Sequence, residues 1–394
     1  MNITFSKRMA AFRPSIFSEL SEYKLNKQAE GANIIDLSLG SPDLPPPAIV
    51  REELAKQASY ADQYGYPLTG TPSFYEAVAN YYSRVYGVDL DPKKEIVQTM
   101  GSQEGLVHLP MVFADPGDTI LVTDPGYTAY ETGLALAGAV PYYMPLHREN
   151  HFLPDLNAIP EEVARQAKLM IINYPGNPVP GLADREFFSK VIAFAKKYKI
   201  AILHDAAYSE FYFDDHKPLS FLSIEGAKDV GMEINSLSKS FSLAGARIAY
   251  IAGNAAMIQM IARFKSNLDY GVFYPIQAAG VMALNNAETI GANIRKIYQA
   301  RRDVLVEGLK EIGWSVDQPS GGMFVWAKIP EGWNSREFAF ACIDQAGVVM
   351  IPGIAFGANG EGYVRIALVQ EGHVLQKAVD ALKQSGIFSI EKVQ

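Results

Sequence analysis

The chain has 394 residues, 48% of them hydrophobic and 20% charged, with a formal net charge of −8. That make-up is globular and too large for one simple core, so two domains are expected, and it excludes the clustered basic surface of a nucleic-acid binder. One cysteine, Cys342, leaves no internal disulfide, which fits a reducing cytoplasm. Near the N-terminus, Lys7, Arg8 and Arg13 have no apolar core behind them, unlike a conventional signal peptide. No apolar run is long enough to span a bilayer, so no membrane partner is expected. His147 and His151 have helical ligand spacing, but Pro145 and Pro154 flank them and imply a loop. No metal is expected there or elsewhere.

From about residue 48 the chain alternates helical and strand-like segments. Thr71-Pro72 predicts a helix start, and Phe74, Val78, Tyr81 and Val85 fall on one face behind it. Short apolar runs bounded by Gly, Pro, Asn or Asp predict strands over 119–123, 139–144, 168–173, 200–205, 232–237 and 248–252. Phe187, Val191, Phe194 and Tyr198 mark an amphipathic helix between two of them. Apolar strands separated by helices imply an α/β domain around a largely parallel sheet. After about residue 285 the texture changes. A long helix over 287–312, a strand over 323–327, a helix near 335–345, a strand over 363–369 and a helix over 372–385 describe a smaller α+β domain. The expected division is an N-terminal arm (1–45) packing with that small domain (286–394), and a large domain (46–285) between them.

The residues able to do chemistry fall at the ends of these strands, where open α/β sheets bind ligands. Gly101-Ser102-Gln103-Glu104-Gly105 reads as a turn into a helix N-terminus, suited to a phosphate; a plain helix capped by Ser102 is the alternative. Asp124-Pro125-Gly126-Tyr127 offers Tyr127 as a flat face for an aromatic ring, or as a cap on the core. In Asn173-Tyr174-Pro175-Gly176-Asn177-Pro178, a certain loop, Asn177 can hydrogen-bond a phenolate-like oxygen. His204-Asp205-Ala206-Ala207-Tyr208 delivers a carboxylate able to pair with a protonated pyridine nitrogen; the alternative is a helix cap.

Asn235-Ser236-Leu237-Ser238-Lys239 is the most informative stretch. A lysine in a dry site can lose its proton near neutral pH and attack an aldehyde, and Ser236, Ser238 and Arg247 suit a phosphate. Gly245 would allow close backbone approach. Arg365 lies inside an apolar strand and needs a partner, either a substrate carboxylate or a buried structural acid.

Taken together these motifs resemble the class I/II aminotransferases of the aspartate aminotransferase superfamily, pyridoxal-phosphate enzymes of fold type I. The Ser-x-Ser-Lys and Gly-x-Arg pattern is met by Ser236, Ser238, Lys239, Gly245 and Arg247. The Asn-x-Pro, Asp…Tyr and C-terminal Arg elements are met by Asn177, Asp205, Tyr208 and Arg365, and Ser38–Asp43 resembles the N-terminal substrate loop with Gly40. The chain departs from the pattern at Val179-Pro180-Gly181 and at Arg247-Ile248-Ala249, without losing a functional group.

The resemblance implies a seven-stranded, mostly parallel sheet plus a small domain, and pyridoxal 5′-phosphate as cofactor. It implies a ping-pong exchange between an L-amino acid and a 2-oxo acid. In it Lys239 bonds the cofactor and then acts as general base, Asp205 keeps the ring nitrogen protonated, and Asn177 and Tyr208 bond the ring oxygen. Tyr127 stacks on the ring. Ser102, Gln103, Ser236, Ser238 and Arg247 complete the cofactor set, while Gly40, Asn177 and Arg365 hold the substrate carboxylate. It also implies a homodimer with shared sites, where Tyr64, or else Tyr66, reaches the partner's phosphate and the 265–277 segment contributes to the neighbour.

Three substrate groups are similar to this chain: LL-diaminopimelate aminotransferases, alanine or glutamate transaminases, and glutamine-dependent enzymes of methionine salvage. The last are most similar over 89–130 and 167–239. Other pyridoxal-phosphate chemistry on the same fold is an alternative, as is a non-catalytic ligand sensor, for which residues 1–45 are too few and too weakly basic to be a DNA-binding module. A nicotinamide dehydrogenase lacks its Gly-x-Gly-x-x-Gly after an early strand.

Overall fold

The computed structural model describes residues 3–12 and 15–388; Arg13 of the basic N-terminal stretch lies outside them, as do the last residues of the expected small domain. Helix α1 (Ile16–Ala29) and the short strand β1 (Ile35–Asp36) come first, then helices α2 (Ala48–Ala58) and α3 (Pro72–Tyr86). Helix α3 begins where Thr71-Pro72 predicts. The Thr71 hydroxyl accepts the Phe74 N–H at 3.3 Å, and Phe74, Val78 and Tyr81 are buried on one face.

Strand β2 (Ile96–Thr99), helix α4 (Ser102–Phe113), strand β3 (Thr119–Asp124), helix α5 (Ala129–Ala137) and strand β4 (Val140–Pro145) open the alternating region. It continues through α6 (Glu161–Gln166), β5 (Ala167–Asn173), α7 (Arg185–Tyr198), β6 (Ala201–Asp205), α8 (Ala227–Val230) and β7 (Gly231–Ser236). Then follow α9 (Leu237–Ser240), β8 (Ala249–Gly253) and α10 (Ala255–Lys265). Each strand predicted from its apolar run is present, within a residue or two at its ends. Helix α7 shows the local logic. Asp184 caps it by accepting the Phe187 N–H at 2.7 Å, and Phe187, Phe188, Val191, Ile192 and Ala195 are buried at helical spacing.

Strands β2 to β8 form one sheet in the order β2-β8-β7-β6-β5-β3-β4, in which only β8 runs against its neighbours. The central strands are buried on both faces. Leu169, Ile171, Ile172, Ile202 and Leu203 are each 0% exposed, and each such side chain contributes about 1.5–3 kcal/mol of transfer free energy. The chain leaves β3 outward to β4 and then crosses back to β5 on the other side. That reversal makes a switch point between β3 and β5, where the carboxyl ends of parallel strands open a crevice.

Helices α11 (Tyr274–Asn285) and α12 (Ala287–Glu311) lead to β9 (Phe324–Lys328), α13 (Ser335–Ala346), β10 (Val348–Val349), β11 (Ile351–Pro352), β12 (Tyr363–Ala367) and α14 (Gly372–Ser385). A second sheet has the antiparallel order β11-β12-β9, and β1 pairs in parallel with β10, Ile35 opposite Val348. The N-terminal segment therefore lies on the C-terminal part of the chain. Two donors, Lys27 Nζ and Tyr23 Oη, reach Asp344 on α13, each at 2.8 Å. Arg301 on α12 grips Asp43 with both terminal nitrogens, at 2.8 and 2.7 Å, and so fixes the loop that carries Gly40.

Candidate active site

The switch-point crevice is a cavity of about 370 Å³. Gly40, Ser102, Tyr127, Asn177, Asp205, Tyr208, Lys239 and Arg365 all line it. They arrive from separate places: the loop after β1, the start of α4, the loops after β3 and β5, the end of β6, α9 and β12. Sequence separation hides this convergence, and sheet topology creates it.

Lys239 occupies α9, the single turn that follows β7. Its Nζ donates to the Gly40 carbonyl at 2.5 Å. Burial, helped by the Arg365 and Arg247 charges and opposed by Asp205, pushes this amine down to about 8. About a tenth is thus neutral and nucleophilic at pH 7, far more than for an exposed lysine. Asp205 is fully enclosed at the end of β6. Burial raises its pKa, while a 2.9 Å bond from the Tyr130 hydroxyl and a 3.2 Å bond from the Ala207 N–H oppose the rise. A buried carboxylate facing a cavity suits a cationic ring nitrogen.

Asn177 is held by its backbone, whose N–H donates to Asn173 Oδ1 at 2.8 Å; Asn173 Nδ2 in turn donates to the Asp205 carbonyl at 2.7 Å. Arg365 Nη1 donates to Asn177 Oδ1 and Nη2 to the Ser38 carbonyl, both at 2.7 Å. Its Nε is buried and has no hydrogen-bond partner among the described residues. No acid among the described residues pairs with Arg365, which disfavours a structural acid as its partner. Burial lowers this guanidinium to about 10, which leaves it charged at neutral pH. Burial also pushes the Tyr208 phenol, beside Asn177, upward, so it stays a donor.

Ser102 is the first residue of α4 and not its cap. Gly101 holds the cap position at φ +81, and no side chain caps this helix end. The backbone requires the glycine through its positive φ, and a Cβ there would crowd the movable Arg247 guanidinium. Arg247 therefore stands at the amino end of α4, where free N–H groups and the helix dipole attract an anion. A phosphate cradle of this kind, an amine pushed toward neutrality and a buried carboxylate together fit pyridoxal phosphate.

Other expected residues lie elsewhere. Ser236 and Ser238 are buried beside α9, the Ser238 N–H donating to Ser236 Oγ at 3.1 Å, and neither lines the cavity. Gln103 is exposed behind Tyr127, whose hydroxyl lies 3.5 Å from it. A Cβ at Gly245 would meet nothing within 4 Å, so within one chain no close approach requires that glycine. Tyr64 is 64% exposed and bonded to the Ala58 carbonyl at 2.8 Å, and Tyr66 is 80% exposed; neither reaches the cavity of its own chain. At the ends of the 265–277 segment, Lys265 and Gln277 are buried and bonded within their own chain, whereas Leu268 and Tyr270 between them are exposed.

Several participants escaped the sequence reading. Tyr130 and Asn173 hold Asp205 and Asn177, and only spatial proximity could reveal that. Phe17, Leu20, Ser21 and Lys24 of α1 line the cavity, at the i, i+3, i+4, i+7 spacing of one helix face. Beneath the floor, His204 and Glu233 are each 1% exposed. His204 Nδ1 lies 2.7 Å from Glu233 Oε1, and Nε2 lies 3.0 Å from the Tyr174 carbonyl. The pair ties β6 and β7 to the loop that carries Asn177. Away from the cavity, Glu104, His108 and Asp269 have the mutual spacing of metal ligands, but the Lys265 ammonium already lies 3.2 Å from Glu104 and 2.6 Å from Asp269.

Residues 32–382 match the family model for aminotransferase class I and II. The chain belongs to this family. It is 43% identical over 380 residues to an LL-diaminopimelate aminotransferase of Moorella thermoacetica, covering 96% of this chain and 97% of that one. A second enzyme of that name, from Desulforudis audaxviator, is 42% identical over 97% of this chain and 98% of its own length. Among solved structures, substrate-bound BacF from Bacillus subtilis superposes with a TM-score of 0.93 at 38% identity, over 98% of both chains. A probable N-succinyldiaminopimelate aminotransferase from Thermus thermophilus gives 0.89 at 34% identity, over 94% of this chain and 100% of that one. The enzyme is a pyridoxal-phosphate-dependent aminotransferase, and its sheet is that of the family fold.

Proposed function

We propose that this aminotransferase exchanges an amino group between LL-diaminopimelate, or the oxo acid related to it, and a second amino acid/2-oxo acid pair such as glutamate and 2-oxoglutarate. The names of the similar proteins support diaminopimelate over the alanine-type and methionine-salvage groups. The observation that carries the site assignment is the Lys239 amine, depressed to about 8 inside a cavity shared with Asp205 and Arg365.

When bound, the cofactor supplies an electrophilic carbon and an electron sink. Lys239 would supply the amine that anchors it and a general base positioned to carry the substrate's α-proton. Asp205, oriented by Tyr130, would pair with the ring nitrogen and keep it protonated. Asn177 and Tyr208 would donate to an oxygen on the ring, and Tyr127 would offer its flat face to the ring. Arg365 would orient the substrate carboxylate with the terminal nitrogens of its guanidinium, next to Asn177 and Gly40. Ser102 and Arg247 would hold the phosphate at the start of α4, with Ser236 and Ser238 buried behind it and Gln103 beside Tyr127.

We further propose a cytoplasmic homodimer in which Tyr64, exposed and remote from its own cavity, completes the partner's phosphate site. The proposed division is an arm (1–45), a large domain (46–285) and a small domain (286–394); the pairing of β1 with β10 supports assigning the arm to the small domain.

The test mixes holoenzyme with single amino acids and follows the cofactor absorbance. LL-diaminopimelate and glutamate should convert it fastest, and cognate oxo acids should restore it. Conversion by glutamine or alanine, with none by LL-diaminopimelate, would overturn the substrate assignment.

A further inference from the structure

Four charged side chains line the cavity: Lys24, Asp205, Lys239 and Arg365. The chemistry of amino transfer employs the last three. Lys24 is left over, and its surroundings indicate a use.

Its side chain is 19% exposed, and its Nζ lies 2.9 Å from Asp36 Oδ2. The other oxygen of Asp36 accepts the Ser38 N–H at 2.9 Å and the Ser38 hydroxyl at 2.5 Å, so the carboxylate is fixed. One ammonium hydrogen of Lys24 is thereby engaged, and among the described residues no other partner takes the remaining two. The same short stretch touches Arg365, because the Ser38 carbonyl accepts from Nη2. Apolar side chains of Leu20, Val349, Ile351 and Phe356 line the same cavity, and Phe17 packs edge-on against Phe356 at 5.4 Å. The cavity thus offers a guanidinium, an apolar wall and a second, immobilised cation.

We propose that Lys24 receives the carboxylate at the far end of the substrate, so the enzyme selects amino acids whose spacer carries a second carboxylate. This deepens the diaminopimelate reading and rests on it. A lysine that merely fastens α1 to β1 would support every substrate equally, whereas a receptor supports only those with the distal anion.

Two inert probes separate these roles on holoenzyme: pimelate, with a carboxylate at each end, and hexanoate, with one. Competitive inhibition constants and cofactor absorbance shifts are read for wild type, Lys24→Ala, Lys24→Arg and Asp36→Asn. Lys24→Ala should weaken pimelate about tenfold and leave hexanoate within about twofold, as for loss of one charge-assisted hydrogen bond. Lys24→Arg should recover most of the preference. Asp36→Asn, which breaks the ion pair but keeps the ammonium, should retain it. Equal losses for both probes, or an Asp36→Asn variant that behaves like Lys24→Ala, would overturn the proposal. If wild type turns over LL-diaminopimelate but Lys24→Ala keeps its pimelate preference, the Lys24 assignment fails alone. If wild type neither prefers pimelate nor accepts LL-diaminopimelate, the substrate class fails with it.

Discussion

At the floor of the cavity Asp205, Asn173 and Asn177 are fixed by buried hydrogen bonds at strand ends, whereas at the rim α1 is fastened by ion pairs that water reaches. Asp205 is 4% exposed, and the His204–Glu233 pair below it is 1% exposed at each partner. The Asp344 side chain that anchors α1 is 42% exposed. Electrostatics in the floor act at low dielectric, so a broken contact there is expensive; rim pairs are screened and individually weak. Chemistry that every aminotransferase shares is placed in the stiff half. On the proposed role of Lys24, the half that meets the variable end of the substrate can change without disturbing it.

The largest contrast comes from Lys239→Ala. Turnover should fall by about 10⁴-fold with the fold intact, measured as kcat with a circular dichroism control. Near-normal turnover would remove Lys239 from the mechanism. Next, Glu233→Gln leaves His204 and the Phe221 N–H facing a weaker, uncharged partner in a sealed site. It should cost about 3 kcal/mol in urea unfolding, as a broken buried pair does. A loss of under about 1 kcal/mol, the size of a surface ion pair, would erase the distinction drawn here.

The floor should also show itself in pH dependence. Because Lys239 is pushed from 10.5 to about 8, the unfolded chain binds more protons across that window, and cofactor-free protein should gain stability as pH rises through it. Cofactor uptake should rise with pH around a midpoint near 8, and Arg365→Leu, which removes a repelling charge, should move that midpoint upward. An unmoved midpoint would contradict the assigned cause. The smallest effect belongs to the rim: Asp344→Asn removes the Lys27 pair and should cost only about 0.5 kcal/mol, read as a shift in the unfolding midpoint.

Much of the floor is legible in the chain. The apolar runs that end in Asp205 and Ser236 are buried strands, and Lys239, Asp205 and Asn177 follow their strands at the crevice by the general rule for such sheets. The alternative of a helix capped by Ser102 falls because Gly101 holds the cap position at a positive φ, with the Arg247 guanidinium against it. The rim was not legible. Helix α1 buries little beyond Leu20 and has no strong apolar stripe, so nothing in its pattern announces that Lys24 faces the cavity.

By itself the sequence determined which segments become strands and helices, and which side chains can do the chemistry, because periodicity and turn residues act over a few positions. Only the tertiary structure decided which of those groups meet. Asp36 and Val349 are neighbours through β1 and β10, and Arg365 reaches Asn177 across 188 residues of chain. Such pairings depend on strand order and on how the N-terminal arm returns to the C-terminal sheet. Short-range patterns carry no record of either.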